Sequence, residues 1–97
     1  MGYVRVHLLM TAAELVGIKD QLKVFAEREG FILGRVFMEQ VHTAPDAFRE
    51  LIESILRDRP EAVVVPNLHH LGILGSPLQV KADVESGTGV QVLVAGG

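Results

Sequence analysis

The stretch Val63-Val64-Val65-Pro66-Asn67-Leu68-His69-His70-Leu71-Gly72 decides the fold. Three consecutive valines with no polar alternation have the pattern of a short strand buried on both faces of a parallel sheet. Pro66 cannot donate to a ladder, so the run ends there. The chain then opens into a polar loop over residues 67–72. Ligands of open parallel sheets bind beyond the carboxyl ends of the strands, so this loop is where chemistry belongs.

Before the valine run, Phe48, Leu51, Ile52, Ile55 and Leu56 recur at helical spacing, with Arg49, Glu50, Glu53 and Arg57 off that face. Pro45 sits near the start of this helix, where its missing N–H does little harm, and Pro60 stops it. Residues 31–38 read as a strand, with Gly34 marking a bend, and residues 39–44 as a polar loop. Earlier still, Leu15, Ile18, Leu22 and Phe25 make one stripe of a helix. Thr11 and Glu14 have the capping-box spacing at its start, and Gly30 is its stop. Tyr3-Val4-Arg5-Val6-His7-Leu8 alternates with period two and is the first strand. Val4, Val6 and Leu8 share one face; Tyr3, Arg5 and His7 share the other, a polar row close to a site or to an edge of the core.

After the loop, Ser76-Pro77 signals a helix start, and Gln79 can complete a capping box. That helix runs to about Ser86. Gly87-Thr88-Gly89 breaks it, and residues 90–94 are a fourth strand. The order βαβαβαβ demands parallel pairing through right-handed helical crossovers. The expected fold is α/β: a small four-stranded parallel sheet of order 2-1-3-4 with helices on both faces. The chain reverses between the first and third strands. His7, His69 and His70 therefore converge on that switch point, with Arg5 beside them.

The chain has 97 residues, enough for one domain over 1–97 with a real core. Its formal charge is −3, and its nine Lys and Arg are scattered, which argues against DNA binding by this chain alone. With no cysteine, disulfides and thiolate metal sites are excluded. No apolar run approaches the ~20 residues of a membrane helix. The N-terminal residues do not have the form of a signal peptide. A cytoplasmic location is expected, with no membrane partner.

Several stretches together resemble the catalytic domain of the resolvase/invertase serine recombinases. These are Tyr3-Val4-Arg5-Val6, Gln21-Leu22, Gly30-Phe31, Val36-Phe37-Met38-Glu39, and Val63-Val64-Val65-Pro66-Asn67-Leu68 with Leu71-Gly72. The resemblance spans essentially the whole chain, and its departures fall on the chemistry. The family's nucleophilic serine corresponds to His7. Its Asp-Arg after Leu68 corresponds to His69-His70, and its next arginine to Ile73. The arginine that opens its second helix corresponds to Pro45, with Arg49 nearby. Only Arg5 remains of that set. A serine nucleophile must have its pKa managed, and a pentavalent phosphate needs several guanidinium groups. Family-type recombination is therefore not expected. The family also carries a long helix and a helix-turn-helix domain beyond the fourth strand, and the resemblance here is to the catalytic core alone.

The leading expectation is a resolvase-like domain that has lost its nucleophile and acts as a non-catalytic interaction or regulatory module. Its partner would be another protein or a second copy of the chain. Leu8, Leu9, Met10, Ile73 and Leu74 would form an apolar rim for that contact. One alternative is a ligand-, metal- or phosphate-binding domain, even a hydrolase, using Arg5, His7, His69 and His70. Adjacent histidines rarely face one ion, so no metal or cofactor is assigned. Another is an accessory subunit in site-specific DNA recombination. Arg5 is either an anion contact or the partner of Glu39 or another carboxylate. Tyr3 is read as a packing residue with a wet hydroxyl.

Overall fold

A computed structural model describes residues 1–6, 10–40, 45–72 and 75–96. Its elements are β1 (Gly2–Arg5), α1 (Ala12–Arg28), β2 (Val36–Glu39), α2 (Asp46–Asp58), β3 (Ala62–Val65), a single 3-10 turn (Leu68–Leu71), α3 (Pro77–Thr88) and β4 (Gln91–Val94). The four strands form one parallel sheet in the order β2-β1-β3-β4, as the valine run and its flanking helices imply.

Each face of the sheet has its own core, because side chains alternate along a strand. Tyr3, Phe37, Val63, Val65 and Val92 point to one face and pack with Phe48, Leu51 and Ile55 of α2 and Val80 and Val84 of α3. Val4 and Val64 point to the other, against Leu22 of α1, with Leu15, Ile18 and Phe25 partly buried around it. All four residues of β3 are buried. Its unbroken apolar run is thus the consequence of helices on both sides.

The ends of several elements differ from the expected ones. β2 begins at Val36, since Gly34 takes φ +66° and the chain straightens only after it. Ile32, before that bend, is 94% exposed. β2 also includes Glu39, which the loop reading had placed outside the sheet. The Thr11 cap forms as expected, with Glu14 N–H donating to Thr11 Oγ at 3.1 Å. Ser76 makes no side-chain cap, and Gln79 bonds Asp83 Oδ1 at 2.9 Å in place of closing a box. α2 ends on Arg59 in the left-handed region, φ 50°, where glycine is the usual occupant.

Candidate functional site

The site begins with a gap between the two central strands. Among the described residues, the β1–β3 register has one paired position, Gly2 with Val64. Carbonyls along a strand point alternately to its two neighbours, but β3 breaks this rule at its end. Val65 C=O accepts from Ala95 N–H, and Pro66 C=O, which should turn toward β1, accepts from Gly96 N–H at 2.8 Å. Gly96 makes this possible: a Cβ there would lie 2.6 Å from Pro66 O and 2.9 Å from Gln21 Nε2. Two strands that should run side by side therefore separate at their carboxyl ends.

Arg5 N–H is left facing that gap, because its neighbour Val6 N–H donates the other way, to Glu39 C=O of β2 at 2.7 Å. The missing acceptor is supplied by a side chain. His70 Nδ1 accepts from Arg5 N–H at 2.8 Å. Nδ1 can accept only when unprotonated, so His70 here is the neutral tautomer with its proton on Nε2. The imidazole stands where a strand carbonyl would be.

Local sequence explains how His70 reaches that place. Asn67 Oδ1 accepts from His69 N–H at 3.0 Å and starts the 3-10 turn. With three residues per turn, positions i and i+3 share a face. Leu71 is accordingly buried, and Leu68 packs against the same cluster. His69 and His70 occupy the other two directions, roughly 120° apart in such a turn. His69 is exposed and His70 half-buried. Both nevertheless line the same cleft. Among the described residues no group of three or more His, Cys, Asp or Glu is placed to hold a metal.

A buried carboxylate borders the same region. Glu39 is 1% exposed. Its Oε2 accepts from Ala47 N–H at 3.1 Å, and its Oε1 accepts from Phe48 N–H at 2.9 Å and from Tyr3 O–H at 3.3 Å. Pro45, at the N-cap, offers no side-chain acceptor, so a residue of β2 caps α2 across space. The hydroxyl of Tyr3 is therefore not wet. Burial pushes its ionisation far above the ordinary phenol range, and the Glu39 charge and hydrogen bond push the same way. Arg5 is not the partner of Glu39. Its side chain is exposed and forms no ion pair among the described residues.

Beyond the carboxyl ends of β1, β2 and β3 lies an open cleft of about 610 Å³, to which Arg5, Glu14, Gln40, Asn67, His69 and His70 contribute polar groups. Met10 and Ile18 supply part of its apolar wall. Arg5, His69 and His70 are thus together at the switch point. Of the proposed apolar rim, Met10 lines this cleft, while Leu8, Leu9, Ile73 and Leu74 lie outside the described residues, as does His7. Sequence reasoning missed Glu39 as a buried group, Asn67 as a cap, and Glu14 as a lining residue. One signal was available for Glu39: it shares a parity with Phe37 and precedes a helix that opens on a proline without a cap.

Comparison with protein-family models, with curated proteins and with solved structures finds no match.

Proposed function

We propose that this chain is a resolvase-like domain without recombinase chemistry, acting as an interaction module. The observation that carries the reading is the commitment of His70. Its ring occupies a position where the resemblance implies a charged active-site residue, and its lone pair is spent on holding Arg5 N–H. A group so held contributes to the fold and is not free to take up a proton from a nucleophile. The one guanidinium kept from the implied set, Arg5, stands without the others that phosphoryl transfer needs to offset developing charge. Incubation of the chain with supercoiled DNA, followed by denaturing electrophoresis, tests this. No covalent protein–DNA adduct is expected, and an adduct would overturn the reading.

A second reading rests on Arg5 itself. An exposed guanidinium with no carboxylate partner among the described residues, facing a polar cleft, suits a small oxyanion. Glu14, which lines the same cleft, weakens that attraction. Calorimetric titration with inorganic phosphate decides it: heat that disappears in Arg5→Ala supports binding, and no heat in the unsubstituted chain removes it.

A further inference from the structure

A rung between parallel strands is ordinarily an amide bonded to a carbonyl, and neither group titrates near neutral pH. The rung at the carboxyl end of β1 is different. Arg5 N–H donates to His70 Nδ1 at 2.8 Å, so its acceptor is an imidazole, a group that ordinarily titrates at about pH 6.5. No backbone substitute stands by. The carbonyl that would serve, on Pro66, already accepts from Gly96 N–H at 2.8 Å.

Protonation of the ring and this bond exclude each other. Nδ1 holds its lone pair toward Arg5 N–H, and a proton there would set two donors face to face. Acid can reach the ring, since His70 is half-buried and lines the open cleft. Arg5 of β1, Glu14 of α1, Glu39 of β2 and His69 of the same turn line that cleft with it. The first and last disfavour an added charge on the ring, and the two carboxylates favour it. None of the four depends, as the Arg5 N–H bond does, on which ring nitrogen holds the proton. β3 carries no charged residue. On α3, which also packs against the turn, Lys81 pairs with Glu85 and Asp83 accepts from Gln79. His7 lies outside the described residues.

We propose that His70 is an acid-sensitive latch: neutral, it holds the carboxyl end of β1 to the turn after β3, and protonated, it releases β1 there and opens the junction at the cleft. The bond needs the neutral ring. Its contribution is therefore present above the imidazole value of the unfolded chain, about 6.5, and is lost as pH falls through the folded one. At about pH 5 an unlatched ring of ordinary basicity is protonated about thirtyfold over neutral, and opening becomes more favourable by that factor. The inference rests on the placement of His70 and not on either functional reading above.

Amide exchange followed by NMR tests it, with Val6 N–H as the internal reference. That amide lies one residue along β1 but donates to Glu39 C=O on the other side. Between about pH 8 and about pH 5, protection of Arg5 N–H is expected to fall at least about tenfold relative to Val6 N–H. His70→Asn sets an oxygen on Cγ where Nδ1 stood and does not titrate, so its ratio should stay flat. His70→Ala removes the acceptor, and its ratio should be low at both pH values. Should the variants not fold, the ring nitrogen shifts of the unsubstituted chain decide it: His70 Nδ1 should gain its proton at the midpoint where Arg5 N–H loses protection. A ratio unmoved by acid overturns the proposal, as does a pH response that survives in His70→Asn. A ring that takes its Nδ1 proton while Arg5 N–H stays protected overturns it equally.

Discussion

Replacing Glu39 is the sharpest test of how the sheet organises the site. Its carboxylate accepts two backbone N–H groups of the first turn of α2 and the hydroxyl of Tyr3. Truncation to alanine leaves at least these three donors without this acceptor. A buried group deprived of its partner costs roughly 1–3 kcal/mol, part of which water entering the vacated space returns. The sum, with the lost cap included, is about 3–5 kcal/mol. A domain of this size has roughly 5–15 kcal/mol in total, so Glu39→Ala should remain folded over most of that range and become marginal near its lower end. Its melting point should fall by more than about 12 °C, at roughly 4 °C or more per kcal/mol. Glu39→Gln keeps an oxygen for Phe48 N–H but turns an NH₂ toward Ala47 N–H, and should lose about 1–2 kcal/mol. Thermal melts by circular dichroism, with urea titration for the free energies, measure both. A Glu39→Ala melt within about 4 °C of the parent would refute the reasoning. Equal losses for the two variants would also refute it, by showing that charge and not the bonds is what matters.

Three further outcomes are expected. Tyr3 is the sole tyrosine, and its folded ionisation lies above the ordinary value of 10.0. The folded state therefore holds its proton longer than the unfolded state. Its contribution is present below that unfolded value and is lost as pH rises from there through the folded one. Ultraviolet titration should show no phenolate until the chain unfolds, and a normal titration would contradict the burial. Glu85 has the opposite sign: the Val92 amide and then Lys81 lower its pKa. Its contribution is present above the unfolded carboxylate value and lost as pH falls through the folded one, so Glu85→Gln should lose less stability on acidification, measured by urea midpoints. Finally, Arg59→Gly relieves a left-handed residue and should stabilise by up to about 1 kcal/mol, unless its 3.4 Å bond to Thr88 C=O offsets the gain.

The parallel sheet was legible because its evidence is redundant. The valine run at 63–65, the helical stripes on either side and the terminal glycines all admit one topology. The location of the cleft followed from that topology. What escaped was the direction of individual polar groups. Pro66 reads as a strand stop, but that its carbonyl turns to Gly96 depends on a glycine thirty positions later. His69-His70 reads as a pair, yet in a 3-10 turn pinned by Leu68 and Leu71 only His70 is tied to β1, through Arg5 N–H, while His69 is exposed. Glu39 reads as loop because a carboxylate in a buried strand is costly; donors from β1 and α2 offset that cost. Short-range pattern identifies elements, and the bonds between elements distant in sequence then decide what each polar side chain does.

The opening between β1 and β3 also divides the chain by its folding. β1, α1 and β2 form one βαβ unit, and β3, α3 and β4 another, with α2 as the span between them. Rungs across the seam join residues as far apart as Arg5 and His70, and closing such loops is slow compared with assembling each unit. The seam is therefore where the two units dock, and where the sheet should first come apart. A ligand seated in the cleft touches both units at once. It would slow their separation and raise opening free energies on both sides of the seam, a signature that amide exchange can read without knowing what the ligand is.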